Sequence, residues 1–265
     1  MQQEKHTPAS REAPRVRKLP THTQREIDAT KFYPSFKFIL KELLENSIDA
    51  GAKFITATID TSSLSLIVTD DGHGISDAGL RLIGSTRASS RLEAAISLRD
   101  DRPSEHSANG RRGQYHASGR FCGLLGQAVQ ALSAVSEVSI TTRESPQGPV
   151  LRKVIQFGEV QFCKSITNVR HGVGTTLQVT RLFEKQPVRR KILVRSVLHI
   201  CLSCIFLCSF PPTCEQEKCR DRDIRARCVR VLQVAAMLNP TTAFLLYDHC
   251  RGLTLKRLPA SSARL

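Results

Sequence analysis

A mixed α/β fold, with helices laid against a sheet, follows from three features of the 265-residue sequence. First, residues 36–50 carry a helical pattern. Phe36, Leu40, Leu43, Leu44 and Ile48 cover most of its circumference, so the helix is largely buried. Gly51 follows as a natural stop, free to take the left-handed conformation. Second, Ile55, Ala57 and Ile59 alternate with Thr56 and Thr58, the period of a strand with two distinct faces. Residues 60–63 turn the chain, and residues 64–69 return as a second strand. Third, strand patterns at 137–143, 150–157, 172–179 and 244–247 are interleaved with helix patterns at 77–83, 124–135 and 223–240. A hydrophobic content of 40% supports a core, although aromatics are only 5% and Trp is absent.

The balance of charge narrows the partners. Lys and Arg exceed Asp and Glu by 15, an excess that predicts an acidic partner, most simply nucleic acid. Nine Cys follow no regular framework and several sit in apolar context, which reads as reduced thiols of an intracellular protein. The N-terminus has no apolar secretion core, and Glu4 and Glu12 count against a mitochondrial transit segment.

The chemistry concentrates in two stretches. Within KELLENSIDAGA, positions 41–52, Glu42, Asn46 and Asp49 stand at i, i+4 and i+7 and share one stripe, with Glu45 at its edge. The stripe is narrow and holds no Lys or Arg to pair its acids. A carboxylate and an amide aligned on a buried helix suit a hard cation such as Mg²⁺ and a polarised water. After the second strand, DDGHGI at 70–75 combines Asp70 with Gly72 and Gly74, a backbone that turns sharply and lets a neighbour approach closely.

Together the two stretches resemble the GHKL ATPase superfamily, which includes gyrase, heat-shock chaperones, histidine kinases and MutL. KELLENSIDAGA is similar to the MutL mismatch-repair family, and most to its Pms-type members. The resemblance implies an α/β (α+β sandwich) Bergerat ATPase fold followed by a ribosomal-S5-like second domain, incomplete here. It implies ATP and Mg²⁺ as cofactors. Glu42 would be the catalytic base and Asn46 the Mg²⁺ ligand. Asp49 would line the nucleotide site, and Asp70 would hold the adenine amine, with Gly72 and Gly74 letting the backbone close on the base. Asp71 stands where the family usually has Asn, and its charge is compatible with phosphates only if it points away.

The remaining segments fall in the family's order. Residues 1–30 read as a disordered tail, with Pro8, Pro14 and Pro20 among mixed charges. Ser76 caps a short helix at 77–83. By resemblance Ser89, Ser90 and Arg91 match a phosphate-touching Thr-Ser-Lys. The irregular stretch 99–120 would form part of an ATP lid. The family's Gly-Phe-Arg-Gly-Glu-Ala-Leu appears as GLLGQAV at 123–129, which retains Gly123 and Gly126 for the phosphates but has Leu125 and Gln127 for Arg and Glu. Thr175 or Thr176 matches a pocket-lining Thr, with Thr175 preferred. Arg189, Arg190, Lys191 and Arg195 form a basic cluster suited to a DNA backbone. Residues 197–210 are apolar yet shorter than the roughly 20 residues that span a bilayer, so no membrane contact is expected. The expected division is 31–192 for the ATP-binding domain, 193–222 for an apolar, Cys-rich insertion, and 223–265 for the start of the second domain, where the family's later γ-phosphate Lys is absent.

The function the resemblance implies is ATP binding and slow hydrolysis by a nuclear MutL-type mismatch-repair protein. Such a protein binds DNA with little sequence preference, pairs as a heterodimer with another MutL homologue, and responds to a MutS-type mismatch-recognition protein. The competing reading, supported by Leu125, Gln127 and the missing Lys, is a non-catalytic DNA- or partner-binding subunit with a degenerate pocket.

Overall fold

A computed structural model describes residues 19–84, 127–167, 172–195 and 214–261. The chain opens with two helices, α1 (Thr21–Phe32) and α2 (Phe36–Asp49). The hairpin β1 (Phe54–Asp60) and β2 (Ser65–Asp70) follows, then α3 (Asp77–Leu82). Helix α4 (Gln127–Val135) leads into β3 (Glu137–Arg143), β4 (Val150–Gln156), β5 (Glu159–Ile166) and β6 (Gly174–Thr180). The last elements are α5 (Pro187–Arg195), α6 (Cys214–Leu238), β7 (Ala243–Asp248) and β8 (Leu253–Leu258).

The eight strands form one sheet in the order β5-β4-β3-β6-β2-β1-β7-β8. Every neighbouring pair is antiparallel except β1 and β7, which run parallel. Alternation sets the buried face. Ile55 sits opposite Asp70 and Phe244, Ala57 opposite Val68 and Leu246, and Ile59 opposite Leu66 and Asp248. All of these side chains are buried. Helix α2 packs on β1 and β2, α4 on β3 and β4, and α6 on β7 and β8. The turn between β1 and β2 is built by Asp60, whose Oδ1 accepts from the backbone N–H groups of Ser62 and Ser63 at 2.9 and 3.0 Å. Gly51 ends α2 with φ +74°, as expected of a helix stop. Lys153, buried on β4, donates from Nζ to the carbonyls of Leu80 and Arg81 and so ties the end of α3 to the sheet.

Three expectations change. The tail expected over residues 1–30 contains α1 from Thr21, with Ala29 and the following Tyr33 buried; residues 1–18 lie outside the described residues. The helix is held by a partner distant in sequence. Arg189 of α5 donates from Nη2 to the carbonyls of Thr30 and Tyr33, satisfying the helix end. Strands β5 and β8 were not anticipated: both are sheet edges with many exposed side chains, and their apolar alternation is short, Val160 with Phe162 and Leu253 with Leu255.

The third change concerns the end of the chain. Helix α6 begins at Cys214, ahead of the expected start at 223. Residues 223–258 do not form a separate layer, since β7 continues the sheet beside β1. The cause lies in Phe244 and Leu246, whose burial over the same face as Ile55 and Ala57 completes one core. Most of the apolar insertion, residues 196–213, lies outside the described residues. Among the described residues no helix is long and apolar enough to cross a membrane, and Cys163, Cys228 and Cys250 are free thiols.

One buried ion pair fastens α6 to the sheet. Arg225 Nη1 lies 3.5 Å from Asp248 Oδ2, with side chains 8% and 0% exposed. Removing one partner strands the other charge without water. Asp248→Ala is therefore expected to lower the unfolding free energy by about 3–5 kcal/mol, seen as a lower urea midpoint at an unchanged slope.

Candidate functional site

The site begins where β2 ends. Asp70, the last residue of β2, is 9% exposed on the face that α2 covers. Three donors converge on its carboxylate. Ser47 Oγ donates to Oδ2 at 2.9 Å, while the backbone N–H groups of Gly72 and Thr175 donate to Oδ1 at 3.0 and 3.2 Å. Ser47 Oγ also lies 3.2 Å from the Leu43 carbonyl, but its single proton serves the charged acceptor. Burial raises the Asp70 pKa above the ordinary carboxylate value. The bonds from Gly72, Ser47 and Thr175 hold it down in part, and Asp71 adds a further upward push. The result is a fixed acceptor with known orientation, held between a helix and two strands.

Register explains the convergence. Asp70 pairs with Thr175 on β6, and Thr175 pairs with Thr142 on β3. Thr142 Oγ1 accepts from Ile75 N at 2.8 Å, lies 3.0 Å from the Gly174 carbonyl, and is 3.2 Å from Thr175 Oγ1. The two candidate threonines are thereby told apart. Thr175 stands beside Asp70, whereas Thr176 pairs its hydroxyl with Thr69 at 3.1 Å on an exposed part of the sheet.

Glycine at 72 and 74 is required by close chain packing. A Cβ on Gly72 would lie 2.7 Å from both the Cβ and the carbonyl of Ala50, at the end of α2. Gly74 has φ +72°, and a Cβ there would come within 2.3 Å of the Arg143 carbonyl. The atoms nearest to these positions thus belong to the protein, so the two glycines first serve the turn itself. His73 N donates to the Ala50 carbonyl at 3.0 Å and seals the same junction. Asp71 points away from this junction. Its Oδ1 accepts from the backbone N–H groups of Lys53 and Phe54, at 2.7 and 2.8 Å, and caps the start of β1.

On α2, Glu42, Asn46 and Asp49 share the stripe that the helical period requires, each half-buried. Ser47, next to Asn46, anchors this helix directly to Asp70. The expectation that no cation pairs the acids of this stripe is corrected. Lys41 Nζ lies 2.6 Å from Glu45 Oε1 and 4.0 Å from Glu42 Oε1. Tyr33 is buried nearby. Burial, and then the negative charge of Glu42, push its hydroxyl pKa far up. Ser89, Ser90, Arg91, Gly123 and Gly126 lie outside the described residues, as does Leu125, while Gln127 opens α4. Ser47, Thr142 and Tyr33 are the contributors that sequence reasoning missed. Ser47 did carry a signal, since it is a lone hydroxyl on the apolar face of α2, and a buried polar group needs a partner.

A helix bearing an acid, an amide and a second acid is hydrogen-bonded through Ser47 to a buried aspartate at a strand end of a mixed sheet, the arrangement expected of the GHKL fold. Residues 34–146 match the family described as Histidine kinase-, DNA gyrase B-, and HSP90-like ATPase. The DNA mismatch repair protein MutL of Neisseria meningitidis serogroup C is 30% identical over 181 residues, covering 68% of this chain and 24% of that protein. MutL of Acidiphilium cryptum is 32% identical over 181 residues, covering 67% of this chain and 27% of its own length. Over about two thirds of its length the chain is similar to MutL proteins. It spans about a quarter of the length of the curated relatives it matches. Two solved structures share the fold. The Aquifex aeolicus MutL ATPase domain complexed with ADP has a TM-score of 0.51 at 20% identity, covering 85% of this chain and 64% of that one. An N-terminal domain of a DNA repair protein has a TM-score of 0.60 at 21% identity, covering 93% of this chain and 60% of that one.

Proposed function

We propose that this chain binds ATP with Mg²⁺ and hydrolyses it slowly, as the ATPase region of a Pms-type MutL protein in DNA mismatch repair. The observation that carries the reading is the Asp70 carboxylate, buried, triply hydrogen-bonded and tied through Ser47 to the helix of Glu42 and Asn46. An ionised carboxylate only accepts hydrogen bonds, which suits the exocyclic amine of adenine and disfavours the oxygen that guanine carries in its place. The oxygen donors of Glu42, Asn46 and Asp49 are of the hard type that Mg²⁺ takes.

In this mechanism Asn46 supplies an amide oxygen to the metal, and Asp70 orients the base. Glu42 would position the attacking water and take its proton as the oxygen bonds to the terminal phosphorus and the bond from that phosphorus to the bridging oxygen of the departing ADP breaks. Mg²⁺ supplies charge neutralisation along the phosphates. By the family resemblance Ser89, Ser90, Arg91, Gly123 and Gly126, which lie outside the described residues, would contact those phosphates. The net charge of +15 supports sequence-independent contact with DNA, where each neutralised phosphate steepens the salt dependence by about 0.9 in log–log slope. The partners of the proposal are another MutL homologue in a heterodimer and a MutS-type mismatch-recognition protein, in the nucleus.

Leu125 and Gln127, at positions where the family carries Arg and Glu, favour a second reading. In it the chain is a non-catalytic DNA- or partner-binding subunit. One experiment separates the two. A Mg²⁺-dependent ATP titration and a turnover assay on the same sample are expected to show both saturable binding and phosphate release. Binding without release selects the second reading, and absence of binding ends both the nucleotide role and the Asp70 assignment.

A further inference from the structure

Helices α2 and α6 lie side by side, and the furrow between them is a groove of about 440 Å³. This is within the size range of sites that take ligands or side-chain stripes. Its apolar lining comes from Leu44 and Ile48 on α2 and from Val231, Val234, Ala235 and Leu238 on α6. Val234 and Leu238 are 55% and 53% exposed, and Met237 beside them is 78% exposed. These are large apolar side chains grouped in one place, the pattern of a surface that meets a partner. The groove occupies a different stripe of α2 from Glu42, Asn46 and Asp49, since Lys37, Lys41, Leu44, Glu45 and Ile48 line it. Glu42, Asn46, Asp49 and Asp70 do not line it, although Lys41 and Glu45 on its rim border the stripe that carries the first three.

Charge at the rim says what the partner carries. Four cations and two acids border the groove. Lys41 pairs with Glu45 at 2.6 Å, and Arg227 pairs with Asp223 at 2.8 Å, so both acids are neutralised. Lys37 on α2 and Arg230 on α6 have no carboxylate partner among the described residues. An apolar trough is thus flanked on both walls by uncompensated positive charge. Duplex DNA matches this poorly, because a polyanion has no apolar stripe to fill the trough.

We propose that the α2–α6 groove docks an acidic amphipathic helix of a partner protein. Apolar side chains at i, i+3 or i+4, and i+7 of that helix fill the trough, and carboxylates beside the stripe meet Lys37 and Arg230. The test uses the full chain and a fluorescein-labelled synthetic helix of about five turns, with Leu on one stripe and Glu on both flanks. A matched peptide carries Lys in place of Glu. Anisotropy is expected to show saturable binding of the Glu-flanked peptide and weak binding of the Lys-flanked one. The double variant Lys37→Glu with Arg230→Glu is expected to weaken the first by about tenfold or more and to strengthen the second. Val234→Asp weakens both. Circular dichroism, unchanged in these surface variants, separates lost docking from lost fold. No binding, equal binding of the two peptides, or indifference to the charge reversals would overturn the proposal. So would a result in which the reversals weaken duplex DNA binding and leave the peptide untouched.

Discussion

Glu42→Ala leaves ATP affinity within about twofold of the parent chain and lowers the turnover rate by about 10²–10⁴-fold. The expectation rests on the position of Glu42. Its side chain is 22% exposed on the polar stripe of α2, while the helix around it is held by Leu40, Leu43, Leu44 and Ser47. Removing a carboxylate from the polar stripe leaves the apolar contacts of that buried face in place, and the fold should persist. Lys41 retains Glu45 as its ion-pair partner at 2.6 Å. Direct titration measures the affinity and single-turnover phosphate release measures the chemistry. Unchanged turnover would remove Glu42 from the role of base, and lost binding would make it a contact to nucleotide or metal instead.

Asp70→Asn is expected to weaken adenine nucleotide binding by about 10- to 150-fold, the value of a hydrogen bond to a charged group, while leaving the thermal midpoint within a few degrees. The amide oxygen can still accept from the N–H groups of Gly72 and Thr175, and the amide nitrogen can donate to Ser47 Oγ. What it loses is the free acceptor for the adenine amine. Acidity gives an independent check. Burial raises the Asp70 pKa, so the carboxylate neutralises at a higher pH than an exposed Asp. Nucleotide affinity of the parent chain should therefore fall with acidification in that raised range, and affinity of the variant should not follow it. Stability moves in the opposite sense. A raised native pKa contributes stability at low pH that disappears as pH climbs through the native value, so the parent chain should gain on the variant as pH is lowered. Identical ATP affinity in the two proteins would remove Asp70 from the adenine contact.

The core of the site was readable because its residues are close in sequence or follow a regular period. Glu42, Asn46 and Asp49 are placed by helix periodicity, and Asp70 by the end of an apolar strand. Its donors were harder to foresee. Thr175 arrives from β6 through strand register, and the backbone N–H of Gly72 through a turn whose shape depends on Ala50. The Lys41–Glu45 pair lies at the margin of the polar stripe, joining neighbours at i and i+4, so the stripe alone does not reveal it. Helix α1 was illegible for another reason. Its sequence has few apolar residues, and its end is held by Arg189 from the far side of the chain. Strands β5 and β8 carry only short apolar alternations, because an edge strand needs little burial to form.

The parallel pairing of β1 with β7 has a consequence for how the protein is made. Phe54 meets Ala243, a partner roughly 190 residues later in the chain. At ribosomal speeds of about 5–20 residues per second, the nascent hairpin waits about 10–40 s with one border open. During that interval Ile55, Ala57 and Ile59 have no neighbour on that side, and an unpaired strand border recruits whatever β-prone segment is nearby. The ribosome thus presents β1 to β6 before β7 exists, and the border of β1 stays open until Phe244 and Leu246 emerge.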